Sequence, residues 1–122
     1  MSHILVIEDD GFFSELLVEM LKADGHQVTL ADDGVKAMHA LERIHPDLII
    51  TDILMPNMDG VELIMALAKQ TNTTPVIAMS GGRRAISSEF SLESAKLLGV
   101  KNTLSKPFTH TDLRLAIQLA LA

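Results

Sequence analysis

The residue most suggestive of chemistry is Asp52, whose carboxylate ends a short apolar run and precedes a turn. The run is Ile49-Ile50-Thr51-Asp52, and the turn that follows contains Met55-Pro56-Asn57-Met58-Asp59-Gly60. Such a run is typical of a buried parallel strand. Open α/β folds bind ligands at the carboxyl ends of their strands. We therefore expect Asp52 to lie at the centre of a functional site.

Further reactive side chains follow other predicted strands. Glu8 and Asp9 follow the first strand, Ser80 ends the fourth, and Lys106 follows the fifth. In a parallel sheet these ends share one edge, so three carboxylates, a hydroxyl and an ammonium can converge. Crowded carboxylates raise one another's pKa unless a cation is present, and oxygen ligands of this kind suit Mg²⁺. Asp52 could then attack phosphorus to form an aspartyl phosphate, with Mg²⁺ and Lys106 offsetting charge and Ser80 donating a hydrogen bond.

The elements that must position these residues alternate along the chain between strand-like and helix-like patterns. Short apolar runs predict five strands, at Ile4–Ile7, Gln27–Leu30, Leu48–Ile50, Val76–Met79 and Val100–Leu104. Helical spacing predicts helices at residues 12–21, 35–41 and 61–68, within Ser88–Leu98, and from a capping box at Thr109–Asp112 to the end of the chain. Gly25 is expected to end the first helix. Five such units imply a parallel sheet with helices on both faces and right-handed crossovers.

The amino-acid composition and the net charge exclude several classes of protein and of binding site. The chain has 122 residues, of which 48% are hydrophobic and 21% charged, as expected for one globular domain with a single core. A net charge of −6 disfavours direct binding to nucleic acid or to anionic lipid. Disulfides and thiolate metal sites are excluded because there is no cysteine. The sequence shows no signal peptide and no membrane-spanning run, so we expect a cytoplasmic protein.

Taken together, these motifs resemble the receiver domain of bacterial two-component response regulators, the chemotaxis-receiver family. The resemblance covers essentially the whole chain, and its motifs are Leu5-Val6-Ile7-Glu8-Asp9-Asp10, Asp52 with Met55–Gly60, Ser80, and Lys106-Pro107-Phe108. It implies an α/β fold, a doubly wound, flavodoxin-like (βα)5 arrangement whose five-stranded parallel sheet has the order 2-1-3-4-5. We expect residues 1–122 to form one receiver domain, with no output domain in this chain.

The resemblance also implies a role for each site residue. The implied metal ligands each offer an oxygen to Mg²⁺: Glu8, Asp9, Asp52 and the carbonyl of Leu54. Asp52 would accept the phosphoryl group, Ser80 would be the switch hydroxyl, and Lys106 would bridge to the phosphoryl group. A cis bond before Pro107 is implied, as are a sensor histidine kinase or phosphotransfer protein as donor and a downstream protein as target. The chain would then be a signalling switch of a phosphorelay, with Mg²⁺-dependent self-phosphorylation and slow self-dephosphorylation, and not a metabolic enzyme.

Three positions depart from the family pattern. Many receivers carry an aromatic switch residue three positions before the lysine, where this chain has Thr103. Coupling through an aromatic side chain is therefore not expected, whereas coupling through Ser80 and the glycines that follow it could persist. Leu54 and Gly82 occupy the two positions that often tune hydrolysis, and neither side chain can hydrogen-bond an attacking water. We therefore predict a long-lived aspartyl phosphate.

The last predicted helix has two apolar stripes. Leu113, Ile117 and Ala120 would face inward, whereas a second stripe would be partly exposed: Leu115, Leu119 and Ala122. This second stripe is consistent with a merely apolar surface, or with homodimerisation or partner docking on the face formed by the fourth helix, fifth strand and fifth helix.

Three other functions were weighed against the signalling switch. A phosphohydrolase would need a second acid at the position of Leu54. A flavodoxin-like cofactor binder would need aromatic residues to stack a flavin, and a hydroxyl-rich loop after the first strand. A pseudo-receiver adaptor would keep the fold without phosphorylation, but the acidic residues, Ser80 and Lys106 are all present.

Overall fold

The computed structural model describes residues 2–52, 66, 74–80 and 100–122. The elements within them are, in chain order, β1 (His3–Ile7), α1 (Gly11–Ala23), β2 (Gln27–Ala31), α2 (Gly34–Leu41), β3 (Leu48–Asp52), β4 (Val76–Ser80), β5 (Asn102–Ser105) and α3 (His110–Leu121). Helix α3 is the fifth helix predicted from the sequence. The predictions of helices at 61–68 and within Ser88–Leu98, and of the turn at Met55–Gly60, lie outside the described residues.

The five strands form one sheet in the order β2-β1-β3-β4-β5, and each pair of neighbours is parallel. This confirms the predicted architecture. The fifth strand begins later than predicted, at Asn102, which pairs with Ile77 of β4. Val100 precedes the strand and packs, partly buried, against the core. Its apolar side chain therefore reflects core packing rather than membership of the strand.

The core lies on both faces of the sheet because successive side chains of β1 point to opposite sides. Ile4 and Val6 belong to a cluster that contains buried residues of α1 and α3. Leu5 and Ile7 belong to a second cluster, which contains Ala37 of α2. All five residues of β3 are buried, as expected for a central parallel strand covered on both faces. Helices α1 and α3 thus cover one face of the sheet, and α2 covers the other.

Side-chain caps determine where the helices begin. The Asp10 carboxylate accepts hydrogen bonds from the amides of Phe12 and Phe13, and so caps α1. Thr109 and Asp112 form the predicted capping box at the start of α3. After α1 the chain turns at Gly25, whose φ of 85° is readily adopted by glycine. Within the described part of the chain, no helix is long and apolar enough to cross a membrane.

Candidate functional site

Two buried carboxylates lie at the carboxyl edge of the sheet. Glu8 directly follows β1, and its amide donates a hydrogen bond of 3.0 Å to the carbonyl of Ala31, the last residue of β2. Asp52 is the last residue of β3, next to β1 in the sheet. Glu8 and Asp52 are only 1% and 3% exposed, respectively. Burial of two acids is costly unless one of them takes up a proton or a cation lies nearby.

That cation is the ammonium of Lys106, which follows β5 at the same edge. It donates hydrogen bonds to Glu8 Oε1 and, over 2.9 Å, to Asp52 Oδ2. Only 10% of the Lys106 side chain is exposed, so this is a buried ion triad rather than a solvated surface pair. The prediction that residues far apart in the sequence converge here is therefore confirmed for Glu8, Asp52 and Lys106. The predicted cis bond between Lys106 and Pro107 is also present.

The electrostatics of the triad follow from burial. Burial raises the pKa of Glu8 from 4.5 to about 7, and the neighbouring charge of Asp52 acts in the same direction. The hydrogen bond from Lys106 opposes this rise. Burial alone would lower the pKa of Lys106, but its bonds to Glu8 and Asp52 outweigh that effect and hold its pKa above the usual value. The lysine therefore stays charged at neutral pH, and the raised pKa of Glu8 allows this acid to take up a proton near pH 7.

A third acid completes a possible metal site. One carboxylate oxygen from each of Glu8, Asp9 and Asp52 lies within 4.8 Å of the others. Three carboxylates against one ammonium leave an excess of negative charge. Because all three ligands are hard oxygens, the donor set fits Mg²⁺, which is commonly held by one or two carboxylates together with water and phosphate. The residues present thus fit the metal expected from the sequence. Leu54, the fourth predicted ligand, lies outside the described residues.

The remaining predicted residue, Ser80, ends β4 at the same edge of the sheet. Its backbone is paired with Ser105, the residue immediately before Lys106. Strand β3 lies on the other side of β4, and its residue Asp52 is paired with Met79 of β4. The backbone therefore carries Ser80 to within one residue of the level of Asp52, while its hydroxyl lies outside what is described.

Two features of the site were not anticipated from the sequence. The amide of Asp10 donates a hydrogen bond of 3.1 Å to Glu8 Oε2, and the Asp10 carboxylate caps α1. The ring of Phe13 lies beside the ammonium of Lys106, whose nitrogen is 4.3 Å from the ring centroid. The capping role was detectable, because an aspartate directly before a helix is a common capping signal. The position of Phe13 was not detectable, because the sequence has two adjacent phenylalanines in the first turn of α1 and does not show which one faces the site.

Comparison with known proteins agrees with the geometry. Residues 4–118 match the family model described as "Response regulator receiver domain". The chain is similar to the transcription factor SKN7 of Saccharomyces cerevisiae, with 36% identity across 91% of this chain and 17% of SKN7. It is also similar to the sensor histidine kinase RcsC of Escherichia coli, with 37% identity across 95% of this chain and 12% of RcsC. The chain therefore spans less than a fifth of either relative.

Solved structures show the same likeness. The chemotaxis protein CheY4 of Vibrio cholerae superimposes with a TM-score of 0.86 and 28% identity, covering 99% of both chains. The structural similarity therefore extends over nearly the whole chain.

Proposed function

Since the chain belongs to the response regulator receiver domain family, a phospho-accepting signalling module of two-component systems, we propose that Asp52 is its phosphoryl acceptor. The observation that carries this proposal is the buried triad, in which the Lys106 ammonium contacts both Asp52 and Glu8. A buried nucleophilic carboxylate beside a fixed cation and two further acids suits phosphoryl transfer. We propose that residues 1–122 act as one receiver unit.

The transfer step follows from these positions. An oxygen of Asp52 attacks the phosphorus of the donor and forms a new P–O bond. The bond from phosphorus to the leaving group breaks, and that group departs with the bonding electron pair. The leaving group is the imidazole of a phosphohistidine or the carboxylate of an acyl phosphate. Lys106 lies 2.9 Å from Asp52 and can donate to an oxygen of the transferring group, which offsets its negative charge.

We propose that Glu8, Asp9, Asp52 and the carbonyl of Leu54 hold Mg²⁺ during this step. When bound, the ion supplies further positive charge to the phosphoryl oxygens and neutralises the crowded acids. The close approach of three carboxylate oxygens supports this assignment. Without an additional cation, the arriving phosphoryl group would meet three acids and a single lysine.

Phosphorylation would also change the partners of Lys106. A phosphoryl group on Asp52 offers new acceptor oxygens, so the lysine can exchange its bonds within the metal-free triad for a bond to phosphate. We propose that the hydroxyl of Ser80 also donates to that group, and that two states of the adjoining loop are biased by it. The switch would act through protein contacts, with a sensor histidine kinase or phosphotransfer protein as donor and another protein as target.

The surface through which a protein partner would recognise this change includes the solvent-exposed side of α3. Leu115 and Leu119 are 53% and 68% exposed, whereas Leu113 and Ile117 are buried against the sheet. The two predicted stripes of the helix are thus both present. We propose that the exposed stripe, together with β5 and the fourth helix predicted from the sequence, forms a face for partner binding or homodimerisation.

The proposal is tested by intact mass spectrometry after incubation with acetyl phosphate and Mg²⁺. The native protein is expected to gain one phosphoryl group, and Asp52→Asn is expected to gain none. Asp32→Asn is the matched control, because Asp32 is an exposed aspartate that pairs with Lys36 outside the triad. Labelling of Asp52→Asn would refute the assignment of the acceptor. Absence of both labelling and beryllofluoride binding in the native protein would favour the pseudo-receiver adaptor.

A further inference from the structure

An aromatic ring is the third partner of the buried ammonium. The nitrogen of Lys106 lies 4.3 Å from the centroid of the Phe13 ring, well inside the distance at which a cation is attracted to an aromatic face. The attraction is stronger where water is excluded, and only 10% of the Lys106 side chain is exposed. The preceding residue, Phe12, is 81% exposed and makes no such contact within the part of the chain that the structure describes. The two adjacent phenylalanines therefore differ both in exposure and in contact with the ammonium.

A second ring holds Phe13 in place. Phe13 and Phe108 make an edge-to-face contact, with centroids 5.6 Å apart and planes 85° from each other. This is one of the arrangements that aromatic pairs prefer. Both rings also pack, partly buried, against the core cluster beneath α1 and α3. Phe108 lies two residues after Lys106, so both the lysine and the ring that backs its partner belong to one short segment.

Hydrogen bonds close this arrangement into a ring of contacts. The amide of Asp10 donates to Glu8 Oε2, and the amide of Phe13 donates to Asp10 Oδ1, each over 3.1 Å. The aromatic face of Phe13 then contacts Lys106, and the ammonium of Lys106 donates back to Glu8. The start of α1 is thereby tied to the carboxylate and to the lysine at the same time. The cap therefore fixes the backbone of Phe13, so only the side-chain torsions of this residue can move its ring relative to the ammonium.

We propose that Phe13, backed by Phe108, is a positioning residue for Lys106 in phosphoryl transfer. This inference rests on the proposed function. A lysine side chain has four methylene groups and many rotamers, so holding its ammonium near Asp52 carries an entropic cost. During transfer the ammonium must exchange a carboxylate oxygen for a phosphoryl oxygen. Hydrogen bonds are directional, but the face of a ring attracts a cation over a broad area, so Phe13 can remain a partner while the others change.

The experiment places phenylalanines of increasing fluorine content at position 13 of the full chain, from one fluorine to five. Fluorine withdraws electron density from the face of the ring and weakens its attraction for a cation, while its shape changes little. The rate of phosphorylation by acetyl phosphate is measured at saturating Mg²⁺. The same series at Phe12 is the matched control. Phe13→Tyr, which keeps an electron-rich face, and Phe13→Leu, which has none, complete the set, and urea unfolding of each variant reports its stability.

We expect the rate to fall stepwise with each fluorine at position 13, reaching about tenfold for the fully fluorinated ring. Phe13→Leu should be similarly slow, Phe13→Tyr should stay near the native rate, and the series at Phe12 should be flat. Unchanged rates at position 13 would overturn the proposal. So would a slow Phe13→Leu beside a full-speed fluorinated series, because packing alone would then explain the loss. If the native protein gains no phosphoryl group, the proposed function itself fails and this inference fails with it.

Discussion

Replacing Lys106 with methionine should destabilise the metal-free protein strongly. Methionine keeps most of the apolar stem but removes the charge that separates Glu8 from Asp52. At an effective dielectric constant of about 20, unit charges 2.9 Å apart attract by roughly 6 kcal/mol. The variant recovers the cost of burying the ammonium, which offsets several kcal/mol of this. We therefore expect a net loss of about 3 kcal/mol in the free energy of unfolding, the lower end of the range for breaking a buried pair.

The chain provides a matched control for this prediction. Lys36 and Asp32 form an ion pair of 2.8 Å, nearly the same length as the 2.9 Å between Lys106 and Asp52. Their side chains are 63% and 61% exposed, compared with 10% for Lys106. Water screens an exposed pair and competes for both groups. Lys36→Met should therefore leave the free energy of unfolding within the error of the measurement.

The assay is urea unfolding in EDTA at about pH 8, one unit above the pKa of Glu8, with the midpoint and the slope fitted together. The loss caused by Lys106→Met should shrink at lower pH, because Glu8 then takes up a proton and no longer needs the lysine. Equal midpoints for the Lys106 and Lys36 variants would refute the reasoning. A loss that did not depend on pH would show that Glu8 contributes nothing to it, and would leave the pair with Asp52 or packing as its source.

Three further outcomes follow from the site and its sequence. The raised pKa of Glu8 means that its contribution to stability is complete below pH 4.5 and is lost as the pH rises through about 7. In EDTA, urea unfolding should therefore show the native protein weakening across this window by roughly 3 kcal/mol relative to Glu8→Gln. If α3 mediates dimerisation, light scattering should show a larger mass with beryllofluoride that Leu119→Glu abolishes, and an unchanged monomer mass would count against it. With Leu54 and Gly82 unable to orient water, the aspartyl phosphate should last minutes or longer, and decay within seconds in the purified phosphoprotein would contradict this.

Much of the fold was predictable because its signals are local. The central strands of this parallel sheet are buried on both faces, so each appears in the sequence as an apolar run, and polar residues end or follow these runs. That pattern located Glu8 and Asp52 correctly at the strand ends. The pattern was misleading at Val100, where an apolar residue serves the core without joining the strand. A short edge strand has few residues from which its start can be inferred.

The sequence by itself determined which chemical groups are available and, through the parallel arrangement, which edge of the sheet they share. Only the tertiary structure decided how they meet. Lys106 is 98 residues from Glu8 and 54 from Asp52, and it reaches both because the pairing of β5 with β4 brings its stem to that edge. Packing likewise decides which of Phe12 and Phe13 contacts the ammonium of Lys106. The cap at Asp10 fixes the start of α1, so the helix turns one ring towards the ammonium and the other towards solvent.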